Sequence, residues 1–337
     1  MHMADALLSP VVGGGFWVAS GALIGYSVKK ITEEGDNSKT ALMGVLGAFV
    51  FAVQMINFTI PGTGSSGHLC GGLLLAALLG PHRAFIALVS VLVMQCLFFA
   101  DGGVLALGCN IFNLAFLPAY IAYPLLYRPV AGNATSGGRM AAASITAATA
   151  GMVMGSFFVV AETALSAITE LPFTLFLLFM LPIHLAIGIV EGLVTWGVLA
   201  FVARTEPSLL VVATKKAARP RFTTALFTLA ALLIGGCGSW FASSQPDGLE
   251  WSVAKVAGST AFSAPHNPLH EMLASLQQKT AFLPDYGFKP DAERFSTLPS
   301  PVNVGSSVSA IVGTLSLLVA AGVAGMALGR KRPQTKR

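Results

Sequence analysis

The sequence FTLFLLFMLPIHLAIGIVEGLVTWGVLAFVA, residues 173–203, contains a single acidic residue, Glu191, and no Lys or Arg. A helix needs about 20 mostly apolar residues to cross the hydrocarbon core of a bilayer. The run exceeds this length and therefore predicts a membrane-spanning helix.

The composition of the whole chain agrees with this run. Of the 337 residues, 54% are hydrophobic and 10% are charged, whereas about 25% of a soluble domain is charged. Most of the chain must therefore face lipid or other helices, which argues against an aqueous enzyme. We predict an all-α, polytopic bundle of about nine membrane segments. The eight long candidates are 11–28, 41–59, 84–100, 104–127, 140–165, 173–203, 222–243 and 304–329. The ninth segment, 69–79, is shorter and is expected to be a broken or re-entrant helix.

The basic residues predict the orientation of these segments. With the N-terminus outside and 69–79 counted as a crossing, all but four of the 20 Lys and Arg residues fall on the inner side. The four exceptions share one long outer loop, where the positive-inside bias is weak: Lys255, Lys279, Lys289 and Arg294. The net charge of +5 is thus an orientation signal, not a nucleic-acid footprint. We expect a multi-pass protein of the cytoplasmic (inner) membrane with a cytoplasmic C-terminus.

Composition also divides the chain. Residues 1–204 form the first block of spans, and 205–221, TEPSLLVVATKKAARPR, read as a basic cytoplasmic linker. Residues 222–337 then form a two-helix module whose outer loop, 244–303, is rich in Pro, Ser and charged residues.

The chain opens MHMADALLSP, without a basic segment or cleavage site that would indicate a secretory leader. A free Met1 amine, the Met1–His2 amide nitrogen and Nδ1 of His2 can close two chelate rings on one ion. Nitrogen donors in a square-planar or tetragonal set suit Ni(II) or Cu(II), with Co(II) a close competitor. Taken alone, the Met1–His2 dipeptide is more simply explained as an accidental start of the chain than as a metal site.

The segment PGTGSSGHLCGG, 61–72, places His68 in a Gly-rich stretch between two apolar runs. Ionisable residues at membrane depth indicate function by default, and His68 would supply a fourth nitrogen. Polar residues nearby either orient such ligands or bond across helices as structural contacts, and the sequence does not choose between these roles. These candidates are Gln54, Asn57, Ser66, Asp101, Asn110 and Asn113.

Other titratable residues are weaker candidates. His184 and Glu191 lie on one face of a span, where a packed interior pair is favoured over a proton relay. His266 and His270 have the spacing of a zinc helix, but the glutamate of HExxH is missing and Pro268 interrupts the pattern. The sequence contains no GxxxxGK[ST] motif, so energy for any transport comes from a partner or an ion gradient.

Three blocks together, MHMADALLSP, QMINFTIPGTGSSGHLCGG and DGGVLALGCNIFN, resemble the substrate-binding subunit of cobalt/nickel energy-coupling-factor transporters, the CbiM/NikM family. The resemblance covers roughly residues 1–204. The loop sequence SQPDGLEWSVAK resembles the PDGLE-type accessory subunit, CbiN/NikN, fused to the same chain.

The resemblance implies a metal site made of Met1, His2 and His68, which carries Ni(II) or Co(II) as cargo and requires no cofactor. It also implies a non-catalytic subunit that works with a membrane coupling subunit (the T component) and ABC-type ATPases. A gradient-driven secondary transporter acting alone is the alternative. The opening MHMADA departs from the commoner MHIPDG or MHIMEG, so the choice between nickel and cobalt stays open.

Overall fold

The computed structural model describes residues 1–132, 137–211, 221–259, 267–289 and 304–329. Most of the predicted linker, at 212–220, lies outside these residues, as do His266, Arg294 and the basic tail 330–337.

Twelve α-helices and one two-stranded sheet lie within the described residues. The first six helices are α1 (Pro10–Glu34), α2 (Asn37–Gln54), α3 (Gly72–Leu79), α4 (Pro81–Phe99), α5 (Leu107–Ile111) and α6 (Arg128–Ala131). The other six are α7 (Gly138–Ser166), α8 (Phe173–Thr205), α9 (Arg221–Gly236), α10 (Gly248–Ala257), α11 (Pro268–Thr280) and α12 (Val304–Gly329). A π-helical stretch, Phe112–Tyr127, joins α5 to α6 without a break and contains two prolines.

Within the part of the chain that the structure describes, six helical stretches are long and apolar enough to cross a membrane. These stretches are Pro10–Glu34, Pro81–Phe99, Leu107–Ala131, Gly138–Ser166, Phe173–Thr205 and Val304–Ala321. Large apolar side chains such as Val11, Val18 and Leu178 lie exposed on their outer faces, as lipid contact requires. The chain is therefore a helical membrane protein.

Three of the predicted segments form shorter helices. Lys39–Gln54 and Thr223–Gly236 are apolar but fall below the length of a full span. Helix α3 has eight residues, all buried, and at 1.5 Å per residue it is about 12 Å long. Gly80, with φ of 81°, then turns the chain directly into α4.

Helices α7 and α8 pack closely because two glycines, one turn apart, face the neighbouring backbone. A methyl group on Gly188 would lie 2.6 Å from Cα of Thr149, and one on Gly192 would lie 2.4 Å from Cα of Ile145. Small residues four apart allow this approach between membrane helices. The contact fixes the face of α8 that points into the bundle.

The prediction of an all-α fold missed a small hairpin in the Gly-rich segment. Strand β1 (Phe58–Ile60) pairs antiparallel with β2 (Ser65–Gly67). The turn between them uses Gly62 and Gly64 at positive φ, which glycine adopts without a steric penalty. The predicted outer loop 244–303 likewise contains α10 and α11 and is not irregular throughout.

Pro268 has a different role from the one its position in the histidine motif predicts. It is the first residue of α11, after Asn267, whose side chain accepts a hydrogen bond from Leu269 N. Proline suits this first position because its missing N–H would have no intrahelical partner there. His270 therefore lies within a regular helix.

Candidate metal centre

The first residues of the chain are fixed inside the bundle. Met1, Met3 and Leu8 are buried, and Met3 exchanges hydrogen bonds with the side chain of Asn110. Met3 N donates to Asn110 Oδ1 at 2.8 Å, and Asn110 Nδ2 donates to Met3 O at 3.3 Å. The terminus therefore does not extend into solvent.

The DGG sequence at 101–103 provides the space for this terminus. A methyl group on Gly103 would lie 1.8 Å from Asp5 Oδ1, and one on Gly102 would lie 3.3 Å from Cβ of His2. Gly103 N also donates to Met3 O at 2.9 Å. Only glycine lets the two backbone segments approach this closely.

The structure brings Met1, His2 and His68 together. The Met1 amine nitrogen lies 3.3 Å from Nε2 of His68, and the rings of His2 and His68 are parallel with centroids 5.3 Å apart. The three residues named from the sequence thus share one location, although 67 positions separate the first from the last.

The His68 ring presents a lone pair to the amine. Its Nδ1 lies 3.2 Å from the Leu69 carbonyl oxygen, an acceptor that requires the ring proton on Nδ1. Nε2 is then the unprotonated atom. Burial, followed by the charge of the Met1 amine, lowers the pKa of His68 to about 3, so the ring is neutral at physiological pH.

His2 contacts Asp101, one of the polar candidates from the sequence. Its Nδ1 lies 3.1 Å from Asp101 Oδ1, and Tyr286 OH donates to Asp101 Oδ2 at 2.5 Å. Burial by itself would raise the pKa of Asp101, but the charge and hydrogen bond of His2 outweigh it and hold that pKa below its ordinary value. His2 Nε2 is buried and, within the ranges that the structure describes, has no hydrogen-bond partner.

Two other candidates lie beside the segment that carries His68. Gln54 Nε2 donates to the Cys70 carbonyl at 2.8 Å. Ser66 Oγ donates to Gln245 O at 2.7 Å, and Ser66 N donates to Pro246 O at 2.8 Å. Both residues therefore hold backbone near His68 without touching the histidine itself.

The three asparagine candidates, Asn57, Asn110 and Asn113, each have a different partner. Helix α2 ends at Gln54, so Asn57 is not on its helical face; the Asn57 carbonyl accepts a hydrogen bond from Ser243 N at 2.7 Å. Asn110 binds Met3, whereas Asn113 Nδ2 donates to Glu162 Oε2 at 2.8 Å. Asn113 thus makes a contact between neighbouring helices.

Sequence reasoning missed Asp247, which lies in the PDGLE segment. Asp247 Oδ2 accepts a hydrogen bond from the Met1 amine at 2.6 Å, while its Oδ1 caps α10 and Glu250 completes a capping box. Burial would raise the pKa of Asp247, but the adjacent amine outweighs it and lowers that pKa below its ordinary value. The PDGLE motif that contains Asp247 was visible in the sequence, but only the fold shows that this residue contacts the Met1 amine.

His184 and Glu191 do not form the predicted pair. Glu191 accepts hydrogen bonds from Cys70 N at 2.9 Å and Gly71 N at 3.0 Å, so it holds the backbone that follows His68. His184 Nδ1 lies 2.8 Å from the Met180 carbonyl oxygen. Each residue has its own partner, and neither continues a proton path to the other.

A cavity of about 940 Å³ opens beside the histidines, between residues of the first block and the PDGLE module. Its lining includes His2, His68 and five carboxylates but, among the described residues, no Lys or Arg. The carboxylates belong to Asp5, Asp101, Asp247, Glu250 and Asp285. Such a lining attracts cations.

Two family models match the chain. The model of the cobalt uptake substrate-specific transmembrane region, CbiM, matches residues 2–209, which is more than half of the sequence. The chain belongs to this family. The model of the PDGLE domain matches residues 221–330 of the same CbiM-family chain, so the fused arrangement inferred from the sequence is confirmed.

Named relatives extend over nearly the whole chain. A putative fused nickel transport protein, NikMN, of Archaeoglobus fulgidus is 32% identical over 94% of this chain and 96% of its own. A probable fused nickel transport protein, LarMN, of Lactiplantibacillus plantarum is 30% identical over 95% and 96%. A crystal structure described as that of a transition metal transporter is 28% identical, with a TM-score of 0.54 over 61% of this chain and 94% of that one.

These relatives are transport proteins, as expected for a non-catalytic subunit. Within the described residues, no three His, Cys, Asp or Glu side chains form a group suited to a metal ion. The candidate centre therefore depends on main-chain nitrogen as well as on side chains.

Proposed function

We propose that this CbiM-family chain binds Ni(II) or Co(II) through Met1, His2 and His68 and is the metal-binding component of an energy-coupling-factor importer. The observation that supports this proposal is the contact of the Met1 amine with Nε2 of His68, beside the parallel His2 ring. Four nitrogens then surround the ion: the amine, the Met1–His2 amide and one nitrogen from each imidazole.

Metal binding replaces protons in this arrangement. The amine now donates to Asp247, and His2 Nδ1 faces Asp101. An ion that binds the amine and His2 Nδ1 takes the place of one proton on the amine and of the Asp101 contact at Nδ1. The coordinated amine keeps two N–H groups and still donates to Asp247, and Asp101 stays beside the His2 ring. Carboxylates in this position orient ligand nitrogens and typically contribute 10–100-fold to affinity.

The acidic cavity is the proposed entrance for the hydrated cation. Its five carboxylates raise the local concentration of divalent ions. The ion then exchanges water for nitrogen as it reaches His2 and His68 at the wall. Release on the other side requires a second conformation with weaker binding, which we assign to ATP hydrolysis by partner ATPases acting through a membrane coupling subunit.

We propose nine membrane segments in the cytoplasmic membrane, with the N-terminus outside and the C-terminus in the cytoplasm. The contacts support this topology. Met3 contacts Asn110 near the start of the helical stretch Leu107–Ala131, whereas Glu34, at the end of α1, pairs with Arg83 near the start of α4. Helix α1 therefore runs from the side of the metal centre to the opposite side.

We also propose three parts: a metal-binding subunit at 1–204, a cytoplasmic linker at 205–221 and an accessory module at 222–337. The accessory module holds the Met1 amine through Asp247 and docks on the hairpin β1–β2 through Ser66 and Pro246. Its function is to position the terminus for the incoming ion.

Asp247→Ala is expected to lower the affinity for Ni(II) about 10–100-fold, since the amine loses the partner that orients it. Asp247 also caps α10, so Asp247→Ser is the matched variant: serine keeps the cap but lacks the carboxylate. Calorimetric titration of both purified variants gives the measurement. Affinity lost in the alanine variant but kept in the serine variant would assign Asp247 to helix capping alone.

Transport is tested in proteoliposomes loaded with ATP. We expect ⁶³Ni uptake only when the chain is reconstituted with its coupling and ATPase subunits, because the sequence has no ATP-binding motif of its own. A non-hydrolysable ATP analogue serves as the control. Uptake by the chain alone under an ion gradient would instead establish the secondary transporter.

A further inference from the structure

His184 carries an imidazole nitrogen that the proposed four-nitrogen site does not use. The residue lies within α8 and is fully buried. Its Nδ1 donates to the Met180 carbonyl at 2.8 Å, which fixes the proton on that atom. Nε2 therefore carries the lone pair of the ring, and it has no hydrogen-bond partner among the described residues.

This nitrogen lies beside a second, small cavity next to the metal centre. The cavity has a volume of about 10 Å³, and its lining includes Met1, His68, His184 and Asp247. A methyl group on Gly248 would lie 3.2 Å from Nε2 of His184, so glycine at this position keeps the approach to the nitrogen open.

The His68 segment and α8 run side by side at this level. A methyl group on Gly67 would lie 2.5 Å from Cγ1 of Ile187, and Glu191 holds Cys70 N one turn further along α8. His68 and His184 thus line one small space from a loop and from a spanning helix, and Met1 lines the same space.

We propose that His184 is an alternative imidazole ligand for the transported Ni(II) or Co(II). When the loop withdraws His68, the chelate of Met1 and His2 keeps the ion and Nε2 of His184 takes the fourth position. The ion thereby passes from a loop residue to a residue of α8. Imidazole nitrogen suits both metals, and the bond from Nδ1 to a carbonyl is the orienting contact that metal-bound histidines usually have. This proposal rests on the proposed function.

The test uses the full chain with His68→Ala, in which the fourth position is open to His184. His184→Asn is the informative second change, because asparagine Nδ2 can still donate to the Met180 carbonyl while Nε2 is lost. We expect His68→Ala to bind Co(II) at least tenfold more tightly than the double variant in calorimetric titrations. X-ray absorption should then count two imidazoles on Co(II) in the single variant and one in the double variant.

The control is His68→Ala with His82→Gln, since His82 contacts Tyr120 elsewhere in the bundle; it should bind like His68→Ala. His184→Ala repeats the measurement if the asparagine variant is poorly folded by size exclusion. Equal binding and equal imidazole counts in His68→Ala with and without His184 would overturn the proposal. Failure of the wild-type chain to bind Ni(II) or Co(II) would instead overturn the proposed function.

Discussion

One residue added before Met1 should reduce Ni(II) affinity by more than about 100-fold. The Met1 nitrogen would become an amide, so the five-membered ring that it closes with the Met1–His2 amide nitrogen would lose its terminal amine donor. Even residues that only orient metal ligands contribute 10–100-fold, so loss of a ligand has a larger effect. The added residue would also meet His68 and Asp247, which lie 3.3 Å and 2.6 Å from the amine.

The measurement is a calorimetric titration of purified chains, with intact mass confirming the retained Met1. Acetylation of the amine provides a variant of minimal size. The matched control carries the same extra residue after Arg337, far along the sequence from the centre. Unchanged affinity in the acetylated chain would remove the amine from the ligand set.

His68→Ala should have the second largest effect, also exceeding about 100-fold, because it removes one of four nitrogens and leaves the chelate of Met1 and His2. The visible absorption spectrum of the Ni(II) complex should shift as the fourth position passes from Nε2 of His68 to Nε2 of His184. Some binding should survive, unlike in a chain with a blocked amine. His68 and the amine thus have distinguishable effects.

His82→Ala is the comparison for this substitution. His82 lies at the start of α4, where its Nδ1 contacts Tyr120 OH at 2.6 Å. Removing it changes an imidazole but leaves the candidate centre intact. Comparable losses in the two alanine variants would place the metal elsewhere in the bundle.

The sequence predicted most of the helices because apolar length is a local property. The runs at 84–100, 140–165 and 173–203 correspond to α4, α7 and α8. It overestimated the length of two helices. The run 41–59 corresponds to α2, which ends at Gln54, and the run 222–243 corresponds to α9, which ends at Gly236. Apolar character continues past those ends, but the chain turns into the hairpin and into the 3₁₀ helix Gly238–Phe241.

The ligand candidates were also available from sequence, since a chelate of adjacent residues needs no fold and the family resemblance added His68. Their partners were not. Asp247 lies 246 positions from Met1, and Glu191 lies 121 from Cys70. A carboxylate in a surface-like PDGLE segment looks the same in sequence whether it faces water or an amine.

The sequence alone thus determined that this chain is a helical membrane protein, which family it resembles and which residues can chelate a metal. Those properties follow from composition, apolar length and adjacent donor atoms. Only the tertiary structure decided that Asp247 contacts the Met1 amine and that Glu191 holds the His68 segment. It alone also shows that Nε2 of His184 lies beside the metal centre without a hydrogen-bond partner among the described residues. Contacts of that kind depend on how helices distant in sequence pack, and packing is set by the whole bundle.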